Sequence, residues 1–384
     1  MATLKARAEQ LVSLADIKIN GSRPWDLQVH NEALYARIFR QGSLGLGEAY
    51  MDGWWDAPQL DQFFYKVFRA KLEDKVQPAT MVLPLLKSFL VNQQNRTTSR
   101  VSVEHYNLGN DFYAKMLDRR MAYTCAYFGQ TESQGEPLPG RTSKTLDQAQ
   151  EDKLELVCKK IGLKRGEKVL DLGCGWGTFA KYAAEKYGAH VVGYNISTEQ
   201  VAYAKQTTQG LPVEIKLQDY RDATGTYDKV VSIGLAEHIG YKNYRGFFEV
   251  INRTLKNDGL ALVHTIGNRR SVTGTDPWLA TYIFPNSMLP SIKQLGKAME
   301  GLFIMEDWHN FGADYDLTLM AWFKNFDRNW PSSKGTQPHF NDRFYRMWKF
   351  YLLSCAALFR ARKTQLWQIV LSKNGVLGGY QSVR

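Results

Sequence analysis

Lys168-Val169-Leu170-Asp171-Leu172-Gly173-Cys174-Gly175-Trp176-Gly177 is the stretch on which the reading of this chain turns. Lys168–Leu172 has the apolar character of a buried strand. The glycines that follow let the backbone turn sharply and approach a ligand with no Cβ in the way. Thr178–Tyr187 then reads as a helix, whose first turn offers unsatisfied N–H groups. A lone G-x-G says little; set between a buried strand and a helix it is a strong signal for a nucleotide-type cofactor.

Outward from that loop the pattern alternates. Upstream, Asp147–Ile161 is a helix with Leu154, Val157 and Cys158 on one face. Downstream come a strand at His190–Tyr194, a helix after Ser197, strands at Val213–Leu217 and Tyr227–Ile233, a helix at Tyr244–Leu255 and a strand at Leu260–Ile266. This β-α-β series predicts a parallel, doubly wound α/β sheet with its site at the carboxyl ends of the strands. Residues 1–88 instead alternate short helical patterns with turns, as in Gly42–Gly47 and Asp52-Gly53-Trp54-Trp55, and predict a small, mainly helical N-terminal domain. Residues 89–104, with the polar run Val91–Arg100, read as a linker, and 105–384 as the second domain. Gly129–Thr145 holds three Gly and two Pro without apolar periodicity and is expected to be a mobile loop.

The composition narrows the function. With 384 residues, 44% hydrophobic and 23% charged, global disorder is excluded. No run of 18 apolar residues occurs, so a membrane span is not expected, and the charged first 20 residues lack a secretory signal's apolar core. Four scattered cysteines, 125, 158, 174 and 355, include no C-x-x-C pair, which disfavours structural zinc and a disulfide framework and suggests a reducing cytoplasm. The net charge of +11 is uneven: +3 over residues 1–100, −1 in the middle, and +9 over residues 324–384. That basic tail carries Phe344, Tyr345, Trp348, Phe350, Tyr351, Phe359 and Trp367. It reads either as a core helix with solvated cations or as a surface for anionic lipid; without nucleic-acid-binding motifs, nucleic acid is not the expected partner.

The dinucleotide fingerprint needs glycine at position 178, where Thr178 stands, and an acid after the second strand, where Asn195 stands. Glycines at 173, 175 and 177 behind Asp171 resemble instead the first motif of class I S-adenosylmethionine methyltransferases. That resemblance implies Gly173 and Gly175 beside the methionine half of the cofactor and Asp219 at the adenine. It puts Asn195 at the ribose, where an amide replaces the common acid.

Five further segments sharpen it: His105–Tyr113 (HYNLGNDFY), Tyr123–Phe128 (YTCAYF), Glu237–Gly240 (EHIG), His264–Gly267 (HTIG) and Asp307–Tyr315 (DWHNFGADY). Together they resemble the cyclopropane-fatty-acyl-phospholipid synthase family from about Ile17 through the tail, including Gly42–Trp55, which the related mycolic-acid cyclopropane synthases lack. The resemblance implies methylene transfer from S-adenosylmethionine to a cis alkene of a phospholipid acyl chain, through a carbocation. The implied base is a bound bicarbonate held by Cys125, Glu237, His264, Tyr315 and the backbone of Ile266. Tyr123, Thr124, Gln200, Gln218 and Tyr220 join the implied cofactor contacts. Also implied are an N-terminal domain for lipid handling and dimerisation, a homodimer, and a cytoplasmic enzyme docked on the inner face of the membrane.

Taken singly, these residues have plainer readings. Cys125 is a small buried hydrophobe, His264 a satisfied core histidine, Tyr315 a packing residue. Glu237-His238 hints at metal, but H-E-x-x-H is absent and no metal site is expected. Two other functions stay open: a cation resolved to a methyl-branched or methylene chain, and a binding module that keeps only the cofactor fold.

Overall fold

A computed structural model describes residues 3–76, 92, 108–129 and 144–384. The chain condenses into two units. One gathers Asn92–Thr273, Asn286–Asp314 and Gln365–Arg384; the other Met1–Val91, Gly274–Pro285 and Tyr315–Thr364. Most of the expected linker, and 130–143 of the expected loop, lie outside the described residues.

The first unit is built on a seven-stranded sheet: β1 (Lys168–Leu172), β2 (His190–Asn195), β3 (Val213–Leu217), β4 (Tyr227–Ile233), β5 (Leu255–Asn268), β6 (Ile304–Asn310) and β7 (Thr364–Ser372). Their order is 3-2-1-4-5-7-6. β1 runs parallel to β2 and β4, β2 to β3, and β4 to β5, while β6 and β7 pair antiparallel. The expected doubly wound sheet is therefore present, with its reversal of strand order at β1. Alternate residues of β1 enter different cores. Leu170 and Leu172 pack with Phe247, Phe248 and Ile251 of the helix Tyr244–Thr254. Val169 packs with Leu154, Val157 and Ala180 of two other helices.

Local chemistry sets the helix ends. Thr145 and Gln148 form a reciprocal capping box at the start of Leu146–Lys160. Ser197 caps Thr198–Thr207 by accepting from the Gln200 N–H. β5 starts at Leu255, five residues before the predicted strand, because the polar Lys256-Asn-Asp258 stretch hides its beginning. β6 and β7 lie where the sequence gives no alternation. β7 is buried along almost its whole length, so it offers no polar face to recognise.

The second unit is helical. Ala33–Gln41, Ser43–Met51, Leu60–Arg69 and Pro277–Tyr282 join Asp342–Arg360 and most of Ala313–Asn329. Its core holds Tyr50, Trp55, Phe63, Phe64, Trp278 and Phe350; the Trp278 and Phe350 ring centroids are 4.5 Å apart. The basic tail is largely internal to this packing. Arg346 lies 4.1 Å over the Tyr50 ring and 2.8 Å from Asp56; Arg360, buried, bridges Asp61 at 2.6 Å and Asp316 at 2.9 Å. Arg343 pairs with Asp52 and Lys363 with Glu73. Asp342–Arg360 is thus a core helix, but its Arg343, Arg346 and Arg360 are ion-paired within the unit rather than simply solvated. Lys324, Arg328, Lys349, Arg362 and Lys373 have no carboxylate partner among the described residues. None of the four cysteines forms a disulfide among the described residues.

Candidate active site

The candidate site residues of the α/β unit gather at the carboxyl ends of β1, β2, β4 and β5. Gly173, Gly175 and Gly177 all have positive φ, at 78°, 54° and 78°. An added Cβ at Gly173 would meet Leu235 at 3.1 Å and one at Gly177 would meet Ala204 at 3.0 Å, so both are closed against protein. A Cβ at Gly175 would meet nothing within 4 Å among the described residues, which leave open space at the middle of the loop. Trp176 roofs the loop, donating from Nε1 to Asn110 Oδ1 at 2.8 Å and packing 5.0 Å from Tyr113. Tyr123 leans on the other edge of Tyr113 at 5.3 Å.

Asn195 ends β2 and is committed inward. Its Nδ2 donates to Gly175 O at 3.0 Å and Gln200 Oε1 at 2.9 Å, and its Oδ1 accepts from Ser197 N at 3.1 Å. It braces the glycine loop and orients the Gln200 amide. An aspartate could not donate either bond, which is a physical reason for the amide here. The Asn195 carbonyl accepts from the exposed Gln218 at 3.0 Å. Asp219 receives Arg221 through Nε at 2.8 Å and Nη2 at 2.7 Å, and Tyr220 packs 5.8 Å from Phe247.

The second cluster follows β4. A short turn, Ala236–His238, carries Glu237 into the interior, and its carbonyl accepts from Met288 N at 2.7 Å. Glu237 Oε1 accepts from the Ile266 N–H at 2.6 Å; Oε2 is buried and meets no hydrogen-bonding geometry among the described residues, with the Thr265 side chain near enough to favour the ionised carboxylate. The Ile266 N–H is thus held by Glu237, and its carbonyl accepts from Thr265 Oγ1 at 3.1 Å. Burial pushes the Glu237 carboxyl up to about 7. His264 is opposite Ile233 in the β4–β5 register and 1% exposed. Burial holds its proton affinity well below the ordinary value, so the ring is neutral. Gln368 Nε2, from β7, donates to His264 Nδ1 at 3.3 Å, which leaves the ring hydrogen on Nε2. That Nε2 is buried and has no hydrogen-bond partner among the described residues. Cys125 is fully buried, its Sγ 3.2 Å from Ala126 O, and the preceding Thr124 receives Lys153 Nζ at 2.8 Å. Thr124 also lies against Gly234, whose N–H donates to His264 O at 2.9 Å.

Cys125, Glu237, His264 and Ile266 are therefore all carried by this unit. Tyr315 belongs to the helical unit, where its ring stacks on Phe359 at 4.5 Å and meets Trp322 edge-on. Among the described residues no group of His, Cys, Asp and Glu could hold a metal ion. Gln368, Gln150 and Lys153 are site neighbours that the sequence did not single out. Gln368 interrupts an apolar run in β7, whereas Gln150 and Lys153 sit in a polar stretch and only their helical spacing with Leu154 and Val157 places them on a buried face.

The strand order, the three left-handed glycines and the open space at Gly175 fit S-adenosylmethionine and define a class I S-adenosylmethionine-dependent methyltransferase. Residues 93–369 match the family model described as mycolic acid cyclopropane synthetase, and the chain belongs to that family. It is 46% identical over 379 residues to the cyclopropane-fatty-acyl-phospholipid synthase of Escherichia coli K12, covering 98% of this chain and 95% of that protein. Tuberculostearic acid methyltransferase UfaA1 of Mycobacterium tuberculosis is 32% identical, covering 90% of this chain and 82% of that one. The crystal structure of mycolic acid cyclopropane synthase CmaA1 with SAH and CTAB aligns with a TM-score of 0.61 at 29% identity, covering 72% of this chain and 98% of that one.

Proposed function

We propose that this methyltransferase converts the cis double bond of an unsaturated phospholipid acyl chain to a cyclopropane, with bicarbonate as the base. One observation carries the reading: the 46% identity to a cyclopropane-fatty-acyl-phospholipid synthase extends over nearly the full length of both chains. When bound, S-adenosylmethionine supplies an electrophilic methyl carbon, and bicarbonate a site for the proton that ring closure releases. Gly175 leaves room for the methionine half, with Gly173 packed against Leu235 beside it; Tyr123, Thr124, Gln200, Gln218, Asp219 and Tyr220 are assigned to the remainder by resemblance, as is Asn195, which also orients Gln200.

The proposed anion site is supported by two unpartnered buried atoms of opposite character. His264 Nε2–H is a donor and Glu237 Oε2 an acceptor. Bicarbonate presents both kinds of group, accepting through its anionic oxygens and donating through its hydroxyl. Raised to about 7, the Glu237 carboxyl is partly protonated at neutral pH; ionised, its Oε2 accepts from the bicarbonate hydroxyl, and protonated, it donates to an anionic oxygen and removes the repulsion between two anions. Cys125, the Ile266 backbone and Tyr315 complete the ligand set by resemblance.

The proposal extends to the setting. Residues 1–88 handle lipid and form a homodimer, 89–104 link them to the catalytic residues 105–384, and the enzyme docks on the inner face of the membrane. No helix among the described residues is long and apolar enough to cross a bilayer. The test combines purified protein, monounsaturated phospholipid vesicles and methyl-deuterated S-adenosylmethionine, followed by mass spectrometry of the acyl chains. Gain of one CD2 with loss of the alkene is expected. Labelled chains that keep an alkene would assign the methyl-branched or methylene product instead, and unlabelled lipid would refute the substrate.

A further inference from the structure

The helix Leu146–Lys160 buries three polar side chains: Lys160, 3.5 Å from Asp307, at its end, and Gln150 and Lys153 further back. Gln150 is fully buried and Lys153 is 1% exposed, among Leu154, Val157 and Cys158. Three residues apart, they share one side of the helix. Both reach Thr124: Gln150 Nε2 donates to its carbonyl at 2.8 Å and Lys153 Nζ to its Oγ1 at 2.8 Å. The residues just before are fastened too. Asp118 Oδ1 accepts from Ala122 N at 2.8 Å, and Thr178 Oγ1 donates to Arg120 O at 2.8 Å. The next residue is Cys125.

An ammonium out of water is costly unless a counter-charge meets it. Here no carboxylate lies within 4.0 Å of Lys153 Nζ among the described residues. The charged and titratable groups that face it are Asp118, Asp171, Cys125 and His264. Asp171 has a buried Oδ2 with no hydrogen-bond partner, so it does not serve as the contact ion. A threonine hydroxyl that accepts from an ammonium must direct its own hydrogen elsewhere.

We propose that Lys153 is a positioning residue of the active site: it fixes the Thr124 hydroxyl as a donor and supplies the buried positive charge that lets a small anion sit beside Cys125 and His264. The charge role rests on the bicarbonate reading above. Burial brings the lysine down to about 8, so its charge is present at neutral pH and fades above it.

The test titrates bicarbonate into depleted buffer and follows both methylene transfer and, on protein without S-adenosylmethionine, binding of 13C-bicarbonate by NMR, for the wild type, Lys153→Met and Thr124→Val. Val157→Ala, on the same buried helix, controls for simple loss of stability. Lys153→Met is expected to raise the half-saturating bicarbonate concentration by at least about tenfold. It should also remove an alkaline fall in wild-type rate near pH 8. Thr124→Val keeps the ammonium and should lower the maximal rate with a smaller shift in half-saturation; Val157→Ala should shift neither. Lys153→Met with wild-type half-saturation and alkaline limb would overturn the inference. If Lys153→Met fails to fold, Thr124→Val with an unchanged maximal rate would overturn it. A wild type indifferent to bicarbonate would overturn the bicarbonate reading, and the charge role with it, before any variant is compared.

Discussion

Replacing Glu237 with glutamine should make the protein more stable and less active, and the stability gain should depend on pH. The buried carboxyl rises from 4.5 to about 7 on folding. Between those values the native state binds more protons than the unfolded state, so stability falls as pH rises through that window and levels off above it. A rise of about 2.5 units corresponds to about 3 kcal/mol, at 1.36 kcal/mol per unit. Glutamine does not titrate. It can still accept the Ile266 N–H through Oε1, so the local backbone keeps its anchor. Whatever the amide's own fit, the stability difference between variant and wild type should therefore grow by about 3 kcal/mol from pH 4.5 to pH 8. At about 2–4 °C per kcal/mol for a domain of this size, the variant's Tm should gain several degrees on the wild type across that range. Scanning calorimetry over pH measures the difference, and methylene transfer at pH 7.5 gives the activity. A Tm difference constant with pH would refute the buried, near-neutral carboxyl. Full activity in the variant would refute its place in the reaction.

Other substitutions test neighbouring parts of the site. Gln368→Leu removes the hydrogen bond that fixes the His264 tautomer and should lower kcat about 10–100-fold with little change in cofactor affinity, with 15N shifts of the imidazole reporting the tautomer. Gly175→Ala has room for its methyl but adopts a left-handed φ of 54°; it should cost about 1–2 kcal/mol of stability and weaken S-adenosylhomocysteine binding by calorimetry. In the helical unit, Gly47→Ala would set a methyl 2.3 Å from Trp278 Cδ1, and overpacking should cost about 1–3 kcal/mol, read as a lower Tm.

The glycine loop was legible because conformation and chemistry demand the same residues there: a buried strand, three left-handed positions and a helix start leave few alternatives. The strands around it follow the same logic. β6 and β7 were not legible. β7 is buried almost throughout and follows a basic helix, so neither alternation nor composition marks it. Cys125, Glu237 and His264 came from resemblance, since each alone has an ordinary structural explanation. Gln150, Lys153 and Gln368 escaped because their burial depends on tertiary packing. The grouping of 315–364 with the N-terminal helices is equally invisible in linear order, because both stretches simply read as amphipathic.

That grouping bears on how the protein is made. The helical unit draws on residues at both ends of the chain, with its last piece ending at Thr364. On a ribosome, Trp55, Phe63 and Phe64 emerge long before Phe350, the ring that Phe64 meets at 5.0 Å. At about 5–20 residues per second the wait is roughly 15–60 s, during which those aromatics lack their native cover. Nascent chains of this protein should therefore be clients of holding chaperones until synthesis is nearly finished, and the α/β unit, also closed by a late strand, offers no earlier refuge.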